Sequence, residues 1–137
     1  MVVGSIPILN ILMLSKIINR LRNAYMVYHI EVSFKDVGFC SKILNILWKE
    51  NLIRGYKKTN TGIITVFLRY HEGSPICTRL AILSSPRDRL YLSLLDLSRI
   101  VNNSWSGVFI VSTTKGIMSG KEAIRKGEGG EILAYAS

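Results

Sequence analysis

Only two cysteines occur in this 137-residue chain, Cys40 and Cys77. Neither lies in C-x-x-C spacing or near a histidine, so the pattern favours two reduced structural thiols over a disulfide or a metal site. Histidine is equally scarce: His29 flanks a strand pattern and His71 lies in a turn. With no G-x-S-x-G anywhere, no base is placed to activate a nucleophile. Acids number nine against eighteen Lys plus Arg. They are scattered singly, which removes the paired carboxylates of general acid–base catalysis. Long apolar runs are missing too. The first fifteen residues are uncharged but broken by Pro7, Asn10 and Ser15, short of the roughly 20 apolar residues a transmembrane helix needs. They also lack the basic start and small-residue cleavage site of a signal peptide.

What is present is apolar content and positive charge. Hydrophobic residues make up 48% of the chain, enough to fold one ordinary domain or two very small ones. The net charge of +9 and a pI near 9.8 point to a polyanion, either nucleic acid or an anionic membrane surface. Residues 1–71 hold ten basic and three acidic residues, +7, whereas residues 72–137 hold eight and six, +2. Long-range attraction therefore belongs mainly to the first half. Any polyanion contact in the second must rely on hydrogen bonds and close backbone approach.

Periodicity predicts an α+β chain. Ile11, Leu14, Ile18 and Leu21 form a helical stripe over residues 8–21, with Lys16, Arg20 and Asn23 on another face. A short extended stretch follows at His29–Phe34. Asp36 is then an N-cap for a second helix with the stripe Val37, Cys40, Ile43, Leu44 and Leu47, ending in a left-handed cap near Asn51. Strands at Ile53–Lys58 and Ile63–Tyr70 flank the hairpin loop Thr59-Asn-Thr-Gly62. Turn chemistry at residues 71–75 separates two modules, 1–71 and 76–137. In the second, strands are expected at Ile76–Leu83 and Arg89–Leu95, then a short helix capped by Asp96 and a buried strand at Gly107–Val111. A hydroxyl-rich loop, Ser112-Thr-Thr-Lys-Gly116, precedes the capping box Ser119-Gly-Lys-Glu122 and a short helix stopped by Gly127. Gly129-Gly130-Glu131 leads into a last strand, Ile132–Tyr135.

Two phosphate motifs fail on inspection. Gly116-Ile-Met-Ser-Gly120-Lys121-Glu122 is one residue short of a P-loop and ends in an acid. Gly127-Glu-Gly-Gly130 enters a strand instead of a helix, so it is no dinucleotide fingerprint. No cofactor, metal or small-molecule substrate is expected. The hydroxyl loop and the Gly-Gly-Glu turn remain: short hydroxyls and bare glycine backbone can meet phosphate and ribose oxygens closely. The same loop also reads as ordinary turn closure.

The order of motifs resembles a known family. Val111-Ser-Thr-Thr-Lys-Gly-Ile-Met118, Glu122-Ala123 and Gly127-Glu-Gly-Gly-Glu-Ile-Leu133 are similar to the C-terminal signature of bacterial-type ribosomal protein eight of the small subunit, the S-eight family. Ile18-Asn-Arg-Leu-Arg-Asn-Ala24, Leu47-Trp-Lys-Glu-Asn-Leu-Ile53 and Ser84-Ser-Pro-Arg-Asp-Arg-Leu-Tyr91 resemble three upstream segments in the same order. The resemblance implies an N-terminal α/β module packed on a C-terminal α+β module. It also implies binding to a stem in the central domain of small-subunit rRNA, with neighbouring small-subunit ribosomal proteins as further partners. Carried over by position, RNA contacts fall on Ser112, Thr113, Thr114, Lys115, Gly130, Glu131 and Tyr91, with Arg89 nearby; Arg20, Arg22 and Lys58 add general phosphate attraction. Glu131 is read as orienting local donors or, equally, as buttressing the loop, and Tyr91 as stacking on a base or ribose or as a rim residue of the core.

Three departures stand out. Val37-Gly-Phe-Cys40 replaces the family's Ser-Lys-Leu-Lys, leaving Lys35 or Lys42 as substitutes. Arg87 replaces a glycine after Pro86, and Asn51 replaces a helix-ending glycine. Because Ile18–Ala24 aligns inside the family fold, the basic N-terminal helix is read as domain and not as a removable presequence. The Ile-rich composition with weakened basic motifs points to a mitochondrial ribosome, with a plastid or the bacterial cytoplasm as alternatives. A basic protein-interaction or membrane-surface module without RNA specificity is the competing reading.

Overall fold

A computed structural model describes residues 8–36, 40–103 and 107–137, with side chains from Leu12 onward. Helix α1 (Ile8–Met26) is followed by β1 (Glu31–Lys35), α2 (Cys40–Lys49), β2 (Ile53–Lys58) and β3 (Ile63–Leu68). These three strands form an antiparallel sheet in the order β1-β3-β2. A two-strand hairpin, β4 (Tyr70–His71) and β5 (Ser74–Pro75), turns through Glu72 and Gly73, both at positive φ. The second sheet has the order β6-β10-β8-β9, built from β6 (Leu80–Ile82), β8 (Val108–Thr113), β9 (Gly116–Ser119) and β10 (Gly130–Ala136). The short β7 (Tyr91–Leu92) pairs with the start of β10. Helix α3 (Leu94–Asn103) follows β7, and α4 (Gly120–Arg125) follows β9.

The alternation within these elements decides the layers. Leu14, Ile18 and Leu21 are fully buried on α1, as are Cys40, Ile43 and Leu44 on α2, and Ile64, Val66 and Leu68 alternate inward from β3. Val108, Ile110, Ala134 and Ala136 of the second sheet belong to this same cluster. One core therefore runs through both sheets. The opposite face of the second sheet presents Val111, Met118 and Ile132 to Leu97 of α3 and Ala123 of α4, a smaller satellite core. Burial of α1 draws residues 14–25 into the fold. Among the described residues no helix is long and apolar enough to cross a membrane.

Three helices end in the same way. At α2, Asn51 N–H donates to Trp48 O and Leu52 N–H to Leu47 O, with Asn51 at φ 62°. Gly127 does this for α4 at φ 71°, and Tyr28 for α1 at φ 58°. These are left-handed caps in which two backbone donors satisfy otherwise orphaned carbonyls. Ser119 caps the start of α4, its hydroxyl accepting from Glu122 N–H.

The structure corrects several expectations. β6 and β7 are three and two residues long, far shorter than the strands read at 76–83 and 89–95. Leu94 and Leu95 are helical, and α3 is capped by Ser93, not Asp96. Ser93 Oγ accepts from Asp96 N–H while donating to the Asp96 carboxylate. Asp36 carries an ion pair to Lys58 at 2.6 Å, and the backbone it was expected to cap lies outside the described residues. Val37, Gly38 and Phe39, where the altered basic segment falls, lie outside the described residues.

Candidate nucleic-acid interface

β10 is the organising strand. Tyr91 pairs with Glu131 across β7 and β10, Glu131 with Ser112 across β10 and β8, and Ser112 with Ile117 across β8 and β9. Directly opposed residues project to the same face of an antiparallel sheet. Positions 91, 131, 112 and 117 thus form one row over four strands. Gly129 and Gly130 make that register possible. A Cβ on Gly130 would lie 2.2 Å from Ser112 O, and one on Gly129 would lie 2.6 Å from Leu92 O. The main chains approach closely here because these residues have no side chain.

Glu131 has 0% side-chain exposure, and its two oxygens take Arg89 Nε at 2.8 Å and Nη2 at 2.9 Å. This bidentate geometry is the strong form of the pairing. Hydrogen bonding to Glu131 holds the Arg89 guanidinium above its ordinary pKa. A carboxylate that looks misplaced beside a polyanion is neutralised inside the protein, and the pair ties the turn before β7 to β10.

The hydroxyl-rich segment is not a loop. Ser112 and Thr113 are the last residues of β8 and both are buried; the turn proper is Thr114-Lys115, followed by Gly116 at φ 117°. The Thr113 hydroxyl accepts from Lys115 N–H at 3.1 Å and donates to Gly116 O at 3.0 Å, closing the hairpin. Thr114 and Lys115 are exposed at its tip. Lys115 Nζ reaches Lys126 O and the Glu128 carboxylate. Tyr91 is exposed on the same row. The result is an accessible tip and an aromatic ring on a rigid buried floor.

The family model described as Ribosomal protein S8 matches residues 13–136, which include the whole row and the hairpin. The chain belongs to the ribosomal protein S8 family. It is 35% identical over 127 residues to the small ribosomal subunit protein uS8 of Coxiella burnetii (strain Dugway 5J108-111), covering 90% of this chain and 96% of that relative. The uS8 protein of Geobacillus stearothermophilus is 34% identical over 125 residues, 89% and 94% of the two chains. That of Lactobacillus helveticus (strain DPC 4571) is 37% identical over 122 residues, 86% and 91%. Membership makes the chain a small-subunit ribosomal protein and a structural component, not an enzyme.

In this S8-family chain the three basic residues singled out in the N-terminal half are not gathered at the hairpin. Arg20 is exposed and donates to Ser33 O at 3.0 Å. Arg22 is half-buried and donates to Leu80 O at 2.9 Å, tying α1 to β6 at the sheet edge opposite β9. Lys58 is held by Asp36, whose hydrogen bond raises the pKa of its amine. Sequence reasoning assigned no role to Ser84, which is buried. Its hydroxyl donates to Ile132 O and accepts from Leu90 N–H, pinning the 84–90 turn onto β10. Its place in the Ser-x-Pro-x-x-Arg-x-Tyr segment was the available signal. Among the described residues no group of three or more His, Cys, Asp or Glu is placed to hold a metal.

Proposed function

We propose that the chain binds a stem in the central domain of small-subunit rRNA and orders it during assembly. The stem meets Thr114, Lys115 and Tyr91 at the exposed rim. Ser112, Glu131 and Gly130 form the floor, while Thr113 and Arg89 hold that floor in shape. Arg20, Arg22 and Lys58 contribute sequence-independent attraction. The observation that carries this reading is the row of positions 91, 131 and 112, which brings three separated segments onto one face beside an exposed hydroxyl tip. Hydroxyl and aromatic contacts of this kind suit a shaped RNA surface.

Neighbouring small-subunit proteins are the second class of partner. The exposed residues Met26, Val27, Tyr28 and Ile30 offer an apolar surface. The relatives described above are bacterial ribosomal proteins, so the bacterial cytoplasm accords with them directly. The mitochondrial placement rests on the Ile-rich composition and the weakened basic motifs, and the relatives described above do not support it. The decisive experiment is a binding titration of the chain against a central-domain stem and against a scrambled duplex, each across a salt series. Tight, stem-selective binding is expected, weakened by Thr114→Val and Tyr91→Ala. Equal affinity for both RNAs and for anionic vesicles would favour the basic-module reading.

A further inference from the structure

Lys42, Asn45, Ile46 and Lys49 recur at helical spacing and present one face of α2 toward β9 and α4. Between them lies an open cleft of about 480 Å³ that joins the two modules. Five cations line it, Lys42, Lys49, Lys115, Arg125 and Lys126, against only two acids, Glu50 and Glu122. Lys115 pairs with Glu128 and Lys126 with Glu122. Lys42, Lys49 and Arg125 are exposed, and none of their side chains forms an ion pair or hydrogen bond among the described residues. Like charges held around one concavity repel each other, and low-dielectric walls concentrate their field.

We infer that this inter-module cleft cradles RNA phosphates, extending the hairpin contact along the RNA backbone. The inference rests on the reading of the chain as an rRNA-binding protein, and Lys115 joins the two surfaces: a strand of RNA leaving Thr114 meets it at the cleft mouth. Phosphate is favoured over an acidic peptide by the floor. Ile46 and Met118 are buried and Ile117 is half-buried, so the lining offers a peptide little apolar purchase against five cations.

The test is the salt dependence of binding to central-domain RNA by the triple variant Lys42→Gln, Lys49→Gln, Arg125→Gln. With three phosphate contacts removed, the slope of log affinity against log salt should become shallower by about two to three units. Glu50→Gln, which removes an acid from the rim, should raise affinity, an effect that loss of folding cannot imitate. Thr114→Val should lower affinity with the slope unchanged. An unaltered slope in the triple variant, with Thr114→Val still weakening binding, overturns the cleft and leaves the hairpin reading standing. A flattened slope with an inert Thr114→Val keeps the cleft and overturns the hairpin. An unaltered RNA slope together with lost binding to a neighbouring small-subunit protein makes the occupant a peptide and also overturns the inference.

Discussion

Breaking the Arg89–Glu131 pair should be expensive, and unequally so from its two ends. Glu131 is wholly buried while Arg89 retains 19% side-chain exposure. Arg89→Met leaves a carboxylate stranded in the interior, whereas Glu131→Gln leaves a guanidinium that can still reach water. Removing one partner of a buried pair typically costs about 3–5 kcal/mol. Arg89→Met should fall in that range and Glu131→Gln nearer 2 kcal/mol. With an unfolding entropy of roughly 0.29 kcal/mol/K for a chain of this length, the Arg89→Met cost lowers Tm by about 10–17 °C. Replacing both partners, Arg89→Met with Glu131→Leu, should restore most of the loss. Thermal melts of the wild type, Arg89→Met, Glu131→Leu and the double variant complete the cycle. The salt slope of RNA binding by the stable double variant then separates positioning from contact. A loss under 0.5 kcal/mol for Arg89→Met, or a slope shallower by about one unit in the double variant, would refute the reasoning.

Neighbouring threonines should part company. Thr113→Val removes a hydroxyl that closes the hairpin and should cost about 1–2 kcal/mol of stability, leaving the affinity of folded protein intact. Thr114→Val should leave Tm nearly unchanged and cost about 1–3 kcal/mol of RNA binding; the reverse pattern would sink the assignment of the tip. Gly130→Ala places a methyl against Ser112 O and should destabilise by about 2 kcal/mol or more, visible as a lower urea midpoint. Burial pushes the Cys77 thiol up from 9.0 to about 11. Since the folded state keeps that proton longer, stability is full below about pH 9 and falls by roughly 2–3 kcal/mol as pH rises through 11. Denaturant titrations of Cys77→Ser should show a smaller alkaline decline, and an unchanged one would contradict the assignment.

The features that sequence determined by itself are those whose physics is local. Asn51, Gly127 and Ser119 are helix boundaries because each cap is completed within a few residues, and the structure has all three. The β2–β3 hairpin and the inward alternation of Ile64, Val66 and Leu68 follow from a period of two and a short turn. The order of the Ser-Thr-Thr-Lys-Gly and Gly-Gly-Glu segments, with three upstream segments in register, pointed to the family. Tertiary structure decided the rest. Gly116–Ser119 is a strand only because β8 lies beside it, and the same pairing turns Ser112 and Thr113 from loop into buried strand. Arg89 and Glu131 meet across 42 residues, and Arg22 reaches Leu80 across 58. Nothing in the local pattern around any of these residues specifies its partner. The cleft cations come from α2, the hairpin and α4, and they converge only when one core draws both sheets against the same two helices. Propensity and capping act over a turn of helix, whereas register and burial are set by which distant surfaces exclude water from each other.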